Sequence, residues 1–425
     1  MRPADILIAG GGIGGLSLAL TLHQIGVSCV VCESSRQMKP LGVGINLQPN
    51  AVRELLDLGF SRESFDGFGR AIEEWTLVGR QGSEIYAELR GEAAGYHWPQ
   101  YAVHRGAFHM ALYERFRTLA GDKAILLDHK FIEYRQNYDR VEAVFETAEG
   151  KKTLSANLLV GADGIHSAVR AQMHPTQPPI HWGGALMWRG TSWARPLRSG
   201  ASFVGLGGPD QRMVIYPISH PDPKTGLALI NWIAEIQHDD PASFDTSSWF
   251  RQVAANIPLK TFKGWTFDWL NVPDLISAAG AVFENPMIDR DPVSTWIDNR
   301  VALLGDAAHA MYPTGSNGAS QAIIDARILG AKLLQLGISP DALEAYNDEL
   351  HGPISDLVLR NRQAGPFGLL SLVHDRCGGV FDDIDKVVSP SERSEFMAKY
   401  KSAAGFAKEV LNAAAPTIPQ GARIG

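Results

Sequence analysis

Three segments, far apart in the chain, carry the residue types a nucleotide cradle needs. They are Gly10-Gly11-Gly12-Ile13-Gly14-Gly15 followed by Glu33, Gly161-Ala162-Asp163-Gly164 followed by Arg170, and Gly305-Asp306-Ala307-Ala308-His309 followed by Gly315 and Gly318. In the first, Gly10 permits a tight strand-to-helix bend, Gly12 lets backbone amides approach a pyrophosphate, and Gly15 lets the helix lie close to a sheet. The helix start then turns unpaired N–H groups and a positive dipole end toward the phosphates. Glu33 lies 18 residues beyond Gly15 (33 − 15), at a strand end, where a carboxylate can accept both hydroxyls of a ribose. A lone G-x-G-x-x-G serves NAD and FAD enzymes alike, whereas the set of three points to FAD.

These residues must be held by elements that the apolar pattern marks out. Asp5 to Ala9 reads as a buried strand, Gly14 to Ile25 as a helix and Val27 to Cys32 as the next strand, a βαβ unit of about 30 residues. Helices are expected near Pro49 to Leu58 and Arg105 to Ala120. Strands of a smaller sheet are expected at Ala124 to Leu127, Arg140 to Thr147 and Thr153 to Ala156. Leu158 to Gly161 and Val301 to Leu304 read as buried strands of the main sheet, each running into one of the glycine-acid segments. From His181 to about Phe283 the texture becomes β-rich and aromatic, with Trp182, Trp188, Trp193, Phe203, Tyr216, Trp232, Trp249, Trp265 and Trp269, and with strands at Arg212 to Ile218 and Leu227 to Ile236. A helix follows from Gly318 to Leu336, and another from Leu343 to Arg362, broken or kinked near Gly352-Pro353. Ser389-Pro390-Ser391-Glu392 has capping-box spacing and starts a terminal helix that runs to about Ala414, with residues 416–425 as a loose tail.

A chain of 425 residues exceeds one hydrophobic core, and 45% hydrophobic with 20% charged residues is ordinary for a globular protein. The expected fold class is α/β: a Rossmann-like FAD-binding domain of glutathione-reductase type, an interleaved β-sheet substrate domain, and C-terminal helices. The partition reads as 1–72, 98–180 and 282–350 for the FAD-binding domain, 73–97 and 181–281 for the substrate domain, and 351–425 for the C-terminal region. A formal charge of −7 without a Lys/Arg run provides no basic surface, so nucleic acid is not an expected partner. Three cysteines do not make a disulfide framework, and Cys29 and Cys32 sit on a strand where residues three apart face opposite sides, so packed thiols, no metal site and a cytoplasmic location are expected. The apolar stretch from Ile6 to Val31 is interrupted by glycines, His23 and Gln24, which suits strand, turn and helix rather than a signal peptide or membrane span.

Beyond the glycine segments, Pro40-Leu41-Gly42-Val43-Gly44-Ile45-Asn46-Leu47-Gln48-Pro49, Val160 to Arg170, Met187-Trp188-Arg189-Gly190 and Gly305 to Asp325 carry a wider likeness. Over about residues 4–365 the chain resembles the group A flavoprotein monooxygenases, single-component FAD-dependent aromatic hydroxylases, and in particular their phenazine-hydroxylating members. The resemblance implies that Gly10, Gly12, Ile13, Gly14 and Gly15 cradle the FAD and that Glu33 holds its ribose, with Arg36 near the adenine end. It implies that Gly44 lets its loop pass the isoalloxazine, that Arg105 reaches the ribityl or phosphate region, and that Asp163 and Gly164 with Ser167 and Arg170 serve the pyrophosphate and the incoming nicotinamide nucleotide. Asp306 would accept ribityl hydroxyls, and Pro313, Gly315, Gly318 and Ala319 would pass beside the flavin ring. Where many members carry two prolines and later an asparagine, this chain has Tyr312-Pro313 and Ser320, a subfamily character. A helix starting near Gly318 would also aim its positive end at the pyrimidine edge of a reduced, negatively charged flavin. His309 reads as a residue that orients its loop rather than as a base.

The reaction so implied is hydroxylation of an aromatic or N-heteroaromatic acid or phenol by NADH or NADPH and O2 through a flavin hydroperoxide, with or without loss of a ring carboxylate. No side chain need act as a nucleophile; the protein must hold the ring beside the flavin and exclude water. Met187, Arg189, Tyr216, Trp232 and Pro313 are the candidates for the substrate wall. Arg189 would pair with a carboxylate or stack on the ring, unless it belongs to a surface or inter-domain ion pair. A flavin-dependent halogenase should show W-x-W-x-I-P, and Trp265 and Trp269 have the wrong spacing. An isoprenoid epoxidase or reductase should carry an apolar terminus, whereas the last helix mixes Lys399, Lys401 and Lys408 with Glu395 and Glu409. A non-catalytic flavin-binding regulator is the third alternative, which substrate-stimulated NAD(P)H oxidation excludes. Monomer and homodimer remain open.

Overall fold

The computed structural model describes residues 4–238, 251–403 and 408–424. Trp249 and the Lys401 side chain, both named above, lie outside the described residues. The first βαβ unit forms as expected, with strand Ile6–Ala9, helix Ile13–Gln24 and strand Cys29–Cys32. Ile6 to Ala9 lies between Leu158–Gly161 and Cys29–Cys32, all parallel, with Val301–Leu303 outside the former and Ile125–Leu126 outside the latter. A strand enclosed by helices on both faces must be apolar throughout, and all four residues of Ile6–Ala9 and of Leu158–Gly161 are buried.

The register decides where the chemistry lies. Ala9 is level with both Gly161 and Cys32, and Gly161 with Leu303. The residues that follow these strands, Gly10, Ala162-Asp163, Glu33 and Gly305-Asp306, therefore leave the sheet along its one carboxyl edge, the edge where open parallel sheets bind ligands.

The second large sheet has eight strands, in the order Arg251–Val253, Ala279–Asp289, His181–Ala194, Ala228–Gln237, Gln211–Pro217, Ser202–Gly207, Glu74–Gly79 and Glu84–Leu89. Its strand Ala279–Asp289 continues past the boundary expected at 281. A three-stranded antiparallel sheet comprises Lys130–Gln136, Val141–Thr147 and Gly150–Ala156. The segment at 124–127, expected there, instead extends the parallel sheet through Val31 and Cys32, and Lys130–Gln136 takes its place.

Helix Pro340–Asn361 continues through Pro353, so of the break or kink expected near Gly352-Pro353 the break does not occur. Ser389 accepts the Glu392 N–H at 3.3 Å and helix Pro390–Ala403 begins there, with helix Lys408–Ala413 after it. The last residues are not loose. Ile418 is wholly buried, Thr417 Oγ1 donates to Glu54 Oε1 at 2.7 Å, and the Ile424 N–H donates to the Ile25 carbonyl at 2.9 Å. Glu54 in turn accepts from the buried Arg327 at 2.9 Å, which ties helix Pro49–Asp57 to helix Gly318–Leu336 and closes the tail over both. The thiols of Cys29 and Cys32 are free, and burial pushes Cys29 up to about 12 and Cys32 higher still, so both are inert. Among the described residues no metal-binding group of side chains occurs and no helix is long and apolar enough to cross a membrane.

Candidate functional site

Along the carboxyl edge the loops brace one another. Gly10 has φ +111°, and a Cβ there would lie 2.3 Å from the Ala162 carbonyl oxygen, so the first two glycine segments touch and only glycine fits. Gly14 and Gly15 are filled from behind by Leu304 and Gly10 itself, whereas a Cβ on Gly12 or Gly164 would meet nothing within 4 Å. The protein's own packing thus explains Gly10, Gly14 and Gly15, and a φ of +78° explains Gly164, whereas Gly12 has neither a crowding neighbour nor a positive φ and leaves an open face at the helix start. Ile13 is partly buried against the same core. Glu33 Oε2 accepts the Gly11 N–H and Oε1 the Ser35 N–H, each at 2.8 Å. Oε1 also accepts from Ser34 Oγ at 3.2 Å, so Oε2 is the oxygen that retains a lone-pair site for a further donor. His109, which the sequence did not single out, reaches the Gly11 carbonyl with Nε2 at 2.6 Å, and burial lowers its pKa. Arg36 is exposed and paired to Asp128 at 3.1 Å, while Arg105 is exposed with its stem against Gly42.

Asp163 turns inward. Its Oδ2 accepts the N–H groups of Ala168 and Val169 at 2.8 and 3.2 Å, capping helix Ala168–Met173, and burial raises its pKa. Arg170 donates to the carbonyls of Ala308 at 2.7 Å and Asp291 at 2.6 Å, locking the second glycine segment to the third. His309 is held the same way. Its Nε2 lies 2.5 Å from Asp325 Oδ2, and Asp325 also accepts the Gly305 N–H at 3.1 Å. Burial opposes the imidazolium, but the adjacent Asp325 carboxylate outweighs it and the pKa is raised. His309 therefore orients its loop, as its sequence context suggested.

Two features at this edge fit an FAD and are not explained by the protein alone. Asp306 is exposed although Gly305 and residues 307–310 are all buried. Asn317, 3% exposed, has no hydrogen-bond partner among the described residues for either carboxamide atom and precedes the 19-residue helix Gly318–Leu336. A buried unpaired amide is costly, and a helix start beside it supplies further free N–H groups. Both suit the donors and acceptors of a flavin pyrimidine edge. Ser320, the subfamily residue, accepts the Gln48 N–H at 3.0 Å and ties this helix to strand Gly44–Leu47.

That strand meets the eight-stranded sheet at Gly44. The Gly44 N–H donates to Asn231 Oδ1 at 2.6 Å, the Gly44 carbonyl accepts from Arg189 Nη2 at 2.8 Å, and a Cβ on Gly44 would lie 2.6 Å from Asn231 Cγ and 2.8 Å from the Tyr216 ring. Tyr216 is 2% exposed, and burial pushes its phenol up to about 12, so it remains a neutral donor beside Arg189. Among the described residues Arg189 has no carboxylate within ion-pair distance. Met187 lies on the same face, packed with Tyr312, and Pro313 is exposed in the turn that follows.

Trp232 does not belong to this wall. Neighbouring strand residues face opposite sides, so a strand that presents Asn231 to Gly44 must turn Trp232 away. It is wholly buried in the core behind the sheet, with Nε1 donating to Ser192 Oγ at 3.0 Å. The apolar alternation of Ile230, Trp232, Ala234 and Ile236 was the available signal, and Asn231 was the polar exception on the other face. A narrow cavity of about 50 Å³ adjoins the turn at Thr314, Gly315 and Ser316, and its walls are Gln48, Trp75, Arg90, Tyr96, Gln100, Phe203, Pro366 and Phe367. Most of these come from strands and a C-terminal segment distant in sequence, which is why local patterns did not find them.

The protein family described as FAD binding domain matches residues 3–255 and 287–361. The chain belongs to the group A FAD-dependent monooxygenases. It is 40% identical over 370 residues to the phenazine 1,6-dicarboxylic acid hydroxylase PhzS of Lysobacter antibioticus, covering 84% of this chain and 89% of that protein. It is 31% identical to a 3-amino-4-hydroxybenzoate 2-monooxygenase of Streptomyces platensis, covering 85% and 87%. Among solved structures, a salicylate hydroxylase substrate complex shares the fold with a TM-score of 0.72 at 23% identity, covering 96% and 97% of the two chains. Klebsiella pneumoniae HpxO with FAD and uric acid has a TM-score of 0.71 at 22% identity, covering 96% and 94%. The monooxygenase is thus an α/β flavoprotein that hydroxylates aromatic substrates with FAD, NAD(P)H and O2.

Proposed function

We propose that the substrate is a planar N-heteroaromatic carboxylic acid of the phenazine type, and that Arg189 receives its carboxylate. The observation that carries this reading is a partly buried guanidinium without a carboxylate partner among the described residues, on the sheet face that meets the Gly44 strand. The likeness to a phenazine dicarboxylic acid hydroxylase supports the ring class. Met187, Tyr216 and Pro313 complete the wall nearest the flavin, and Trp75, Phe203 and Phe367 offer apolar faces to the far end of a fused ring.

FAD, when bound, supplies the redox chemistry, taking reducing equivalents from NAD(P)H and activating dioxygen. The chain's own residues bind and orient. Gly12, Ile13 and the helix start would take the pyrophosphate, Glu33 the ribose and Arg36 the adenine end, with Arg105 and Asp306 on the ribityl chain. Gly164 would leave room for the phosphates while Asp163 shapes its loop, and Gly315, Gly318, Ala319 and Asn317 would line the pyrimidine edge. Tyr216, as a neutral phenol, donates to a ring oxygen or nitrogen and excludes water behind it. A cytoplasmic location accords with three unpaired, buried or half-buried thiols, and the acidic charge accords with the absence of a nucleic-acid partner. Either a monomer or a homodimer is compatible with the site.

The test is a panel of benzoic, salicylic, nicotinic, quinoline and phenazine carboxylic acids, scored for accelerated NAD(P)H consumption with hydroxylated product, peroxide and carbon dioxide counted separately. Phenazine acids should give the highest ratio of product to NAD(P)H consumed. Coupled turnover of single-ring phenols, with phenazine acids yielding only peroxide, overturns the proposal.

A further inference from the structure

Strand Gly44–Leu47 separates two environments, and its residues sort by side. Ile45 and Leu47 pack into the main core, so Gly44, Asn46 and, where the extended backbone continues, Gln48 face the eight-stranded sheet. Gly44 is met there by Tyr216 and Asn231, and Asn46 accepts from the Gln100 amide at 3.5 Å. Gln48 has no such companion. It is 6% exposed, its carboxamide makes no hydrogen bond among the described residues, and its side chain does not cap helix Pro49–Asp57. A buried amide without a partner is unfavourable, and departures of this kind concentrate at functional sites. Gln48 lines the narrow cavity of about 50 Å³ beside Thr314, Gly315 and Ser316, where Trp75, Phe203 and Phe367 supply aromatic faces. The cation on that wall is already engaged: Arg90 Nη2 lies 2.6 Å from Glu88 Oε1, and the guanidinium stacks over Trp75 at 5.2 Å. With that charge balanced inside the protein, what the wall offers a ligand is neutral, chiefly the donor and acceptor of the Gln48 carboxamide.

We infer that Gln48 is a specificity-determining residue: its Nε2–H donates to a ring nitrogen of the substrate and so selects N-heteroaromatic over carbocyclic acids. Arg189 is bonded at Gly44, and Gln48 follows four residues later (48 − 44) on extended backbone, roughly 13 Å along the strand. An acid anchored at Arg189 therefore lies along this strand with its far edge at Gln48. A nitrogen lone pair at that edge completes the amide, whereas an aromatic C–H in the same place cannot accept and leaves it unpaired. The inference rests on the N-heteroaromatic reading given above and adds the residue that enforces it.

The test is calorimetric titration of the full-length, FAD-saturated protein with two pairs of acids whose members differ only in ring nitrogen: phenazine-1-carboxylate against anthracene-1-carboxylate, and quinoline-4-carboxylate against 1-naphthoate. In the parent the nitrogen-bearing member should bind about tenfold more tightly, and in Gln48→Met the two should come within about twofold, with the affinity of the carbocycle not reduced. Methionine replaces an unpaired buried amide by an apolar chain of similar length, so Gln48→Met should melt at or above the parent temperature. In a crystal of the phenazine-1-carboxylate complex, Gln48 Nε2 should lie about 3 Å from a ring nitrogen. A parent that binds both members alike, or a gap that persists in Gln48→Met, overturns the assignment, and the proposed substrate class then stands on its own turnover test. A gap confined to the quinoline pair and lost in Gln48→Met supports Gln48 and removes only the three-ring size from the proposed substrate. Failure of both pairs to bind the parent overturns the proposed ring class and the Gln48 assignment together.

Discussion

Arg189 holds a charge on the inner face of a β-sheet with a carbonyl and a phenol for company. Replacing it by glutamine keeps a donor for Gly44 and removes the charge. The expected outcome is a KM for the acid substrate raised roughly 10–100-fold with a smaller change in kcat, the size of one charge-assisted hydrogen bond, measured by steady-state kinetics. A KM that does not move removes Arg189 from the substrate wall. The first glycine segment allows a sharper contrast. Gly12→Ala meets no protein atom, so the FAD-free protein should melt as the parent does while FAD affinity falls at least about tenfold, read by fluorescence titration. Gly10→Ala forces a Cβ against the Ala162 carbonyl at positive φ and should destabilise even the FAD-free protein by about 1–3 kcal/mol.

Between elements, the decisive contacts are few and buried. Asn231→Ala deprives the buried Gly44 N–H of its acceptor, at a cost of about 1–3 kcal/mol in urea denaturation, and it should loosen the strand that runs to Ser320. Uncoupled peroxide release should rise with it. His309 and Asp325 join the third glycine segment to helix Gly318–Leu336. Because the folded-state pKa of His309 is raised, its contribution is complete below the ordinary histidine value of about 6.5 and is lost as pH rises through the folded-state value. The stability difference between the parent and His309→Gln should therefore shrink on raising the pH above about 6.5, as urea midpoints across a pH series would show. A difference that grows with pH contradicts the ion pair.

For the molecule entire, the C-terminal residues act as a clasp. Ile418 sits in the main core against Gly330, and Thr417 shares Glu54 with Arg327. Ile418→Ala should lower unfolding stability by about 2–4 kcal/mol, a value a loose tail would not show. The same change should leave KM for substrate nearly unaltered, because the clasp lies over helices Ile13–Gln24 and Gly318–Leu336 rather than at the Gly44 wall.

The nucleotide-binding half was legible because its demands are local: a tight turn, a helix start and a strand end each impose residue types on a few consecutive positions. Gly10 to Gly15, Glu33, Asp163 and Asp306 could be read from spacing, and the parallel register then placed them on one edge. The substrate half was only partly legible. Which face of a strand Trp232 or Asn231 shows depends on the pairing of Ala228–Gln237 with His181–Ala194 and Gln211–Pro217, in a sheet that also takes in the remote strand Glu74–Gly79. The clamp on Gly44, the walls supplied by Trp75, Phe203 and Phe367, and the anchoring of residues 416–424 are likewise contacts between remote segments. Such contacts leave no periodic trace, since their energy comes from burial and hydrogen bonds that exist only after the layers have packed.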